Sequence, residues 1–295
     1  MTAVVVGVIA AHSVLTPQRQ GFLAAGPHPF THALSAYLGC GFGHTTCGQY
    51  CYASSLPNWR FRDFAGEWGQ AVRAKANAPE LLAGTLARMR PAARRGLRIF
   101  MSSATDPYQP LERHHQLTRG CLQVFARHPD LDLLVVQTRS PLAARDLPLL
   151  RAIPYAWLSV TIETDDQSYL NRFKGGPSLD RRWALVAAAA GLGIPAQITV
   201  SPCLAYTSVE RFGARLLASG ARRVVVDTPV DGDGAAGRRT QRSPFAQAEP
   251  AWRDTAPAHR LHDWLHERAP DASLTIGWSG AGFCGIPPRP PETQP

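Results

Sequence analysis

Short apolar runs alternate with helix-like segments through the centre of this 295-residue chain, and this alternation limits the folds open to it. The apolar runs are Leu97–Ser102, Leu131–Gln137, Ala156–Ile162, Pro195–Val200 and Arg223–Asp227. Between them apolar residues recur at helical spacing, as in Glu112–Arg127 and Leu179–Ala190. Such a pattern predicts an α/β fold in which buried parallel strands are joined by crossover helices on the outside.

Polar residues stand at or just after the ends of these strands, where parallel sheets carry their functional groups. They are Ser102, Ser103, Asp106, Thr138, Ser159, Thr161 and Glu163. The last three alternate along one strand, so their side chains point the same way and indicate a polar lumen. A solvent-facing edge would give the same alternation, and Asp106 before Pro107 is also compatible with a helix cap.

The charge of the chain is basic, at +9, while its hydrophobic share of 45% is that of an ordinary globular protein. A basic surface is compatible with nucleic acid or another acidic partner. Lys75 and Lys174 are the only lysines, however, and arginines occur in short pairs such as Arg238-Arg239 rather than in long runs. Nucleic-acid binding is therefore possible but not favoured.

The apolar stretch Ala3–Ala11 is too short to span a bilayer, which takes about 18–20 residues. It also lacks the basic start of a secretory signal. We therefore expect a cytoplasmic protein with no membrane partner.

Three of the six cysteines, Cys40, Cys47 and Cys51, fall within twelve residues, and this clustering indicates a metal site. Thiolates suit iron–sulfur clusters, and three of them would bind three irons of a four-iron cluster and leave the fourth open. A zinc ion held by these cysteines and His44 is equally compatible with the residue types. The cysteine cluster alone does not decide between the two.

The sequence around and beyond the cysteines resembles the radical S-adenosylmethionine (SAM) enzymes of the spore photoproduct lyase type. The similar stretches are Ser13–Pro17, Gly39-Cys40, His44, Cys47, Tyr50–Ala53, Asp63-Phe64, Lys75–Leu82, Thr105–Glu112, Thr118-Arg119 and Thr138–Leu142. The resemblance implies a partial (β/α)6 barrel over residues 35–228. Residues 1–34 would form an N-terminal extension, and residues 229–295 a C-terminal cap that ends in a disordered tail.

The spacing of the cysteines departs from that family. Six residues separate Cys40 from Cys47 and three separate Cys47 from Cys51, which is longer than usual on both sides. Ligands Cys40, His44 and Cys47 would restore the usual spacing, but Tyr52 after Cys51 marks Cys51 as the third ligand. Extra loop length costs little entropy, so the three thiols are expected to converge; altered chemistry or a lost cluster are the alternatives.

The resemblance also implies the cofactors and the chemistry. A 4Fe-4S cluster on Cys40, Cys47 and Cys51 would chelate SAM, and an electron from a flavodoxin- or ferredoxin-type donor would cleave SAM to a 5′-deoxyadenosyl radical. Strand-end hydroxyls and carboxylates suit the SAM amino group and ribose, and a basic side chain suits its carboxylate. The expected SAM-binding residues are Ser102, Ser103, Asp106, Thr138, Ser159, Thr161, Glu163, Arg172 and Lys174. For Arg172 and Lys174, an ordinary surface charge is equally compatible with the sequence.

Two further cysteines are candidates for a catalytic redox role. Cys203 follows a strand end, and Cys284 lies in a Gly-rich segment that could fold over the barrel mouth. Either thiol could return a hydrogen atom to a product radical. Cys121, on an apolar helix face, is expected to be structural.

The function predicted is hydrogen-atom abstraction by a radical SAM enzyme from a small-molecule or nucleoside substrate in a biosynthetic pathway. One alternative is repair or modification of DNA or RNA, although the Cys and Tyr relay pair of spore photoproduct lyase has no residue-by-residue match here. The other is a non-catalytic module that binds zinc or a cluster.

Three local expectations complete the prediction. Asp63–Met89 reads as helical with a break near Pro79, and Trp252–Ala269 contains a helix. The polar, Gly-rich stretch Asp231–Arg242 reads as a flexible loop.

Overall fold

Two β-sheets organise the computed structural model, which describes residues 5–56, 68–269 and 273–289. The strands are β1 (Val5–Ile9), β2 (Leu15–Pro17), β3 (His32–Leu34), β4 (Tyr37–Leu38), β5 (Ala71–Lys75), β6 (Arg98–Met101), β7 (Leu133–Thr138), β8 (Ala156–Thr161), β9 (Ala196–Val200), β10 (Arg223–Val226) and β11 (Thr275–Trp278).

Helices connect these strands. They are α1 (Thr46–Tyr50), α2 (Ala78–Arg88), α3 (Pro91–Arg95), α4 (Glu112–His115), α5 (Leu117–Ala126), α6 (Leu147–Arg151), α7 (Gln167–Arg172), α8 (Leu179–Gly191), α9 (Val209–Leu217), α10 (Pro244–Ala248), α11 (Ala256–Arg268) and α12 (Ser279–Phe283). Short 3-10 helices are Phe22–Ala24, Tyr52–Ser55, Pro141–Asp146, Thr240–Arg242 and Pro250–Arg253.

The larger sheet has the order β11-β10-β9-β8-β7-β6-β3-β2, and its neighbours are parallel except for β2, which is antiparallel to β3. The predicted α/β fold with a parallel sheet is thus confirmed. Strands β3 and β6–β10 are the six strands of a partial barrel, and β11 adds a seventh parallel strand. Because β11 and β2 stand at opposite ends of the order, the barrel is open. Both flanks of the chain contribute strands, β3 from residues 1–34 and β11 from residues 229–295.

The outer face of the sheet packs against the helices and forms the larger hydrophobic core. Strand side chains alternate between the two faces, so Leu158 and Val160 of β8 enter this core while Ser159 and Thr161 point inward. The helices bury their apolar stripes on the same layer, as Cys121 and Phe125 of α5 do. The structural role expected for Cys121 agrees with its full burial there.

A second, smaller core lies inside the barrel, where the two ends of the chain meet. Leu23 and Phe30, from the segment before β3, pack with Phe100 of β6 and with Phe283 and Ile286 near the C-terminus. Phe30 meets Phe100 edge to face, with 5.1 Å between ring centroids. We call the residues 22–30 and 279–286 together the plug, because they fill the lumen that the open sheet leaves.

The small sheet corrects one prediction. Residues 71–75, expected to be helical within Asp63–Met89, form β5, and the helix runs only over Ala78–Arg88; residues 63–67 lie outside the described part of the chain. Strand β5 pairs in parallel with β1 and antiparallel with β4. These partners, which are distant in sequence, supply the backbone hydrogen bonds that make residues 71–75 a strand. The local sequence pattern carries no information about them.

The C-terminal region is more ordered than the sequence predicted. The helix expected in Trp252–Ala269 is confirmed as α11, whereas the stretch expected to be a flexible loop, 231–242, is folded around the buried carboxylate of Asp233. In the expected tail, the backbone N–H of Arg289 donates to Asp132 Oδ1 at 2.7 Å, and residues 290–295 lie outside the described residues. Among the helices described here, none combines the length and apolar character that crossing a bilayer requires.

Candidate cofactor site

A cavity of about 380 Å³ opens where strands β6–β10 end, at the sheet edge that the sequence predicted. Its volume lies in the range of small-molecule sites, roughly 300–1,000 Å³. Each of the five strands contributes at least one polar wall residue. In strand order these are Ser102, Thr138, Thr161, Ser201 and Asp227.

The thiols of Cys40, Cys47 and Cys51 all line this cavity. Cys47 lies in α1 and Cys51 directly follows it, one helical turn further on, so the two thiols share a face and hydrogen-bond to each other. Cys40 is close enough to interact electrostatically with both. The three cysteines are free thiols, and the lengthened spacing does not prevent their convergence.

The motif after β6 holds the first part of the cysteine loop. Thr105 donates its hydroxyl hydrogen to the carbonyl oxygen of Gly39 at 2.6 Å, and the Gly41 N–H donates to Gln109 Oε1 at 2.7 Å. Gln109 also donates to the Thr105 hydroxyl. Both neighbours of Cys40 are thereby fixed to the 105–109 turn, which places its thiol on the cavity wall.

Thr46 holds the second part of the loop, next to Cys47. Its hydroxyl contacts the carbonyl oxygens of Leu170 and Gly175, each at 2.7 Å, and so ties α1 to the end of α7. The loop is also closely packed on itself, since a Cβ at Gly48 would lie 1.6 Å from the carbonyl oxygen of Gly43. Glycine is required at position 48 for that approach.

The three thiols differ in their electrostatic surroundings. Burial, with a contribution from Asp106, raises the pKa of Cys40 to about 12. The hydrogen bond from Cys51 lowers the pKa of Cys47, and Arg139 adds to this effect. Metal binding requires thiolates and would release these protons.

The alternative ligand set with His44 is not supported by the geometry. His44 is exposed and is not part of the cavity wall, whereas all three cysteines are. Within the described ranges, no three His, Cys, Asp or Glu side chains converge closely enough to hold a single metal ion.

Arg139 presents a positive charge to the cavity and is held in place from behind. Its Nη1 donates to Glu163 Oε1 at 2.8 Å and to the Tyr50 hydroxyl at 3.1 Å. The other oxygen of Glu163 accepts from Arg182, which is buried. Burial opposes ionisation of Glu163, but Arg182 and Arg139 outweigh it and lower its pKa to about 2.

Asp106 joins the ends of β6 and β7 at the cavity wall. Its Oδ1 accepts from the Thr138 hydroxyl at 2.6 Å and from the Tyr108 N–H at 2.8 Å, and its Oδ2 accepts from the Arg139 N–H at 2.9 Å. Burial raises the pKa of Asp106, although these hydrogen bonds oppose the shift. Oδ2 has one donor and keeps acceptor capacity on the cavity side.

The structure divides the predicted SAM-binding residues into two groups. Those that line the cavity are Ser102, Ser103, Asp106, Thr138 and Thr161. Those that do not are Ser159, Glu163, Arg172 and Lys174. Ser159 bonds to Gln137 and Gln197 in the lumen, and Glu163 lies behind Arg139.

The two basic residues of the second group lie on the surface. Arg172 and Lys174 are both exposed. The guanidinium of Arg172 stacks over the ring of Tyr169 at 4.6 Å, and Lys174 adopts a left-handed turn conformation with φ of 81°. Arg139, which sequence reasoning did not name as a ligand, is the basic residue on the cavity wall near the thiols.

Neither of the predicted redox cysteines lines the cavity. Cys203 packs against the outer core, and its N–H donates to the carbonyl oxygen of Asp227 at 2.7 Å. Cys284 is fully buried in the plug, where its thiol donates to the carbonyl oxygen of Leu23 at 3.2 Å. Their hydrogen-donor roles stay predictions.

Several polar wall residues were not among the predicted site residues, and Tyr52, Arg139, Asp227 and Arg239 are four of them. Asp227 closes an apolar run and Arg139 follows Thr138, so the strand-end rule that found Thr138 could have included both. Tyr52 was noted as a marker of Cys51 rather than as a wall residue. Arg239 comes from a loop whose fold no periodic pattern reports.

The open parallel sheet and its flanking helices have counterparts among solved structures. Among solved structures, the chain is similar to spore photoproduct lyase complexed with dinucleoside spore photoproduct, at a TM-score of 0.61 and 14% identity, covering 93% of this chain and 82% of that one. A spore photoproduct lyase variant with bound AdoMet and dinucleoside spore photoproduct gives 0.59 and 14%, covering 92% and 81%. This likeness establishes the fold.

Sequence comparison gives a shorter match. The chain is 29% identical over 149 residues to the uncharacterized protein MJ0683 of Methanocaldococcus jannaschii. The match covers 50% of this chain and 48% of that protein, so it spans about half of the relative's length. No family model matches the sequence.

Proposed function

We propose that this chain is a radical SAM enzyme in which Cys40, Cys47 and Cys51 hold a 4Fe-4S cluster and SAM binds in the adjoining cavity. The observation that carries the proposal is the convergence of three thiols on a cavity walled by the ends of five parallel strands. The fold of spore photoproduct lyase, which binds AdoMet in one of the solved structures, supports it.

The residues present suit a cluster with one open iron. Three thiols face the cavity, and soft thiolates are the ligands that iron–sulfur clusters use. His44, the nearest candidate for a fourth ligand in the loop, is exposed. When bound, the cluster would supply the electron that cleaves SAM to a 5′-deoxyadenosyl radical.

The wall next to the thiols suits the charged end of SAM. The guanidinium of Arg139 is positioned by Glu163 and Tyr50 and would bind the SAM carboxylate as a charge-assisted donor. The free acceptor capacity of Asp106, with the hydroxyls of Ser102 and Ser103, would bind the ammonium. The negative carboxylate of SAM would thus meet Arg139, and its positive ammonium would meet Asp106.

The floor of the cavity is apolar. Phe22, Leu23 and Phe283 of the plug line it together with Phe100 of β6. An apolar floor excludes water, which strengthens the charged contacts that the wall would make to a ligand. The plug therefore serves the site as well as the core.

The substrate that we propose is a small molecule or a nucleoside, which would lose a hydrogen atom to the radical. The cavity of about 380 Å³, which the substrate would share with SAM, is the size of a small-molecule site and supports a small substrate. The reaction also needs a one-electron donor of the flavodoxin or ferredoxin type. We further propose a lyase- or transferase-type reaction in the cytoplasm, and a boundary between barrel and cap near residue 228.

Anaerobic reconstitution with iron and sulfide tests the cluster. We expect about four irons per chain and a brown protein. The variants Cys40→Ser, Cys47→Ser and Cys51→Ser should each lose most of the iron, whereas the matched control Cys121→Ala, on α5 far from the cavity, should load normally. Full iron loading of the triple serine variant would contradict the assignment.

Reduction of the loaded protein with dithionite in the presence of SAM tests the chemistry. We expect release of 5′-deoxyadenosine, followed by chromatography, and none from the cysteine variants. A protein that holds its cluster and releases no 5′-deoxyadenosine is not a radical SAM enzyme.

A further inference from the structure

The loop of residues 231–242 forms part of the cavity wall and is built around one buried carboxylate. Asp233 is 4% exposed, and its two oxygens accept four backbone hydrogen bonds of 2.7–3.0 Å. The donors are the N–H groups of Ala235, Gly237, Arg239 and Thr240. A carboxylate saturated in this way fixes the loop backbone before any ligand arrives.

The same loop directs the guanidinium of Arg239 to the cavity. Arg239 Nη1 donates to the carbonyl oxygen of Asp233 at 2.6 Å, and its side chain lines the cavity with Gly232, Asp233 and Gly234. A Cβ at Gly234 would lie 3.1 Å from Arg239 Nη1, so the guanidinium rests directly on this glycine, whose φ of 64° favours glycine.

The loop is also fixed to the barrel. A Cβ at Gly232 would lie 2.2 Å from Asp227 Oδ2, so the loop backbone packs on the carboxyl group at the end of β10. A Cβ at Gly237 would lie 3.2 Å from the Trp252 ring. The position of Arg239 is therefore set by both the strand end and the C-terminal region.

Within the described residues, the side chain of Arg239 forms no direct ion pair. It makes one hydrogen bond there, to a neutral carbonyl. An arginine has five N–H donors, so most of its capacity is available to a ligand. Arg139 also lines the cavity, but the proposed function assigns it to the SAM carboxylate.

We propose that Arg239 is the anchor for a carboxylate or phosphate group of a small anionic substrate. This inference rests on the proposed function, in which Arg139 takes the SAM carboxylate and leaves Arg239 for the second reactant. The fixed loop makes the anchor a pre-organised one, so little ordering entropy is lost when the substrate binds.

The geometry favours one small anion over a nucleic-acid backbone. Arg239 lines the cavity, whereas its neighbours Arg238 and Arg242 are exposed and do not. Nucleic-acid binding draws on several phosphate contacts and becomes steeply dependent on salt. A single guanidinium on the cavity wall matches a single charged group of a ligand.

Ligand-observed NMR on the reconstituted protein with SAM tests the anchor, with inorganic phosphate and acetate as probes. We expect wild type to bind at least one probe, and the preferred probe separates phosphate from carboxylate substrates. Arg239→Gln should weaken binding about tenfold or more, because a charge-assisted hydrogen bond is lost. The matched control Arg238→Gln should bind as wild type does.

A second variant keeps the positive charge of Arg239 but changes its position. Gly234→Ala should also weaken binding, since a methyl group there shifts the guanidinium and strains the left-handed backbone of the loop. Equal binding by wild type and Arg239→Gln, or no binding of either probe to wild type, would overturn the proposal. Tighter binding of a single-stranded oligonucleotide, with a salt dependence of several charges, would overturn the assignment to a small anion.

Iron and sulfide are measured on the same samples, so the two failures can be told apart. A loaded cluster without anion binding rejects the Arg239 anchor alone. Failure to reconstitute the iron–sulfur cluster would reject the proposed function, whether or not phosphate or acetate binds.

Discussion

At the scale of single residues, Glu163 does not line the cavity but positions a residue, Arg139, that does. It is 2% exposed and lies between two arginines, Arg139 on the cavity wall and Arg182 in the interior. A buried carboxylate between two guanidiniums is ionised, as its pKa of about 2 indicates. Its part is to hold Arg139 at one orientation.

Glu163→Gln should destabilise the protein by about 3–5 kcal/mol, because removing one partner leaves buried charges uncompensated. Urea unfolding at neutral pH measures the loss. The control is Glu267→Gln, which breaks the exposed pair with Arg268 and should change stability by less than about 0.5 kcal/mol. Equal effects of the two variants would show that the Glu163 cluster is not a structural ion network.

Asp227 predicts a dependence of stability on pH. Burial raises its pKa from 3.8 to about 6, although hydrogen bonds from Ser279, Ser201 and Thr228 oppose the shift. The native state therefore holds this proton more tightly than the unfolded chain does. The resulting stabilisation is complete below about pH 4 and is lost as the pH rises through about 6, a change of up to about 3 kcal/mol.

Asp227→Asn removes this ionisation while an amide can still bond to Ser201 and Thr228. Relative to wild type, the variant should gain stability between pH 4 and pH 7, by up to about 3 kcal/mol, in denaturant unfolding at each pH. Asp180→Asn, at an exposed carboxylate, is the control and should show no such trend. A difference between Asp227→Asn and wild type that stays constant with pH would contradict the assignment.

At the scale of elements, a substitution in the plug tests whether these two segments are part of the hydrophobic core. Phe283 is 4% exposed, packs edge to face on Phe22 at 5.0 Å and lines the cavity floor. Phe283→Ala should cost about 3–5 kcal/mol in unfolding free energy. The control Leu192→Ala, at an exposed apolar residue after α8, should cost less than about 0.5 kcal/mol. A loss no greater for Phe283 than for Leu192 would mean that the plug is not part of the core.

The elements also show what the sequence could and could not predict. Strands β6–β10 were found because a parallel strand buried on both faces is a continuous apolar run. Strand β5 was missed because its state depends on β1, a distant partner. The loop around Asp233 was missed because a single carboxylate, rather than a repeating pattern, orders it.

For the site, inspecting the polar residues at the ends of the predicted strands identified the correct edge of the sheet. It did not show which of those side chains reach the cavity. Ser159 and Thr161 point the same way, yet Thr161 reaches the cavity and Ser159 lies in the lumen between Gln137 and Gln197. Alternation along a strand reports direction only. Depth depends on where the strand ends relative to its neighbours, which is a property of the sheet.

At the scale of the whole molecule, the cavity draws on parts of the chain that are far apart in sequence. Its wall includes the N-terminal part of the plug, the cysteine loop, five strand ends and the loop of residues 231–242. The two parts of the plug are themselves joined, since the His28 N–H donates to the carbonyl oxygen of Cys284 at 3.0 Å. A ligand in the cavity would therefore contact all of these segments at once.

SAM binding to the loaded protein should therefore stabilise the whole fold and not one loop. At a SAM concentration one hundred times the dissociation constant, the gain is about 2.7 kcal/mol, visible as a rise in Tm. Hydrogen exchange should slow at amides around the cavity, such as those of Arg139 and Asp227. The outer surface of α8 should change little because it does not reach the cavity.

The triple variant Cys40→Ser, Cys47→Ser, Cys51→Ser is the control, because it keeps the strand ends and removes the thiolates. It should show little of the added stability and little of the protection, since SAM would lose its chelating iron. Protection confined to one segment, or undiminished protection in the variant, would mean that SAM binds somewhere other than against the three thiols. Protection of the strand ends and the 231–242 loop together, lost in the variant, requires a ligand held between the cysteine loop and the edge of the sheet.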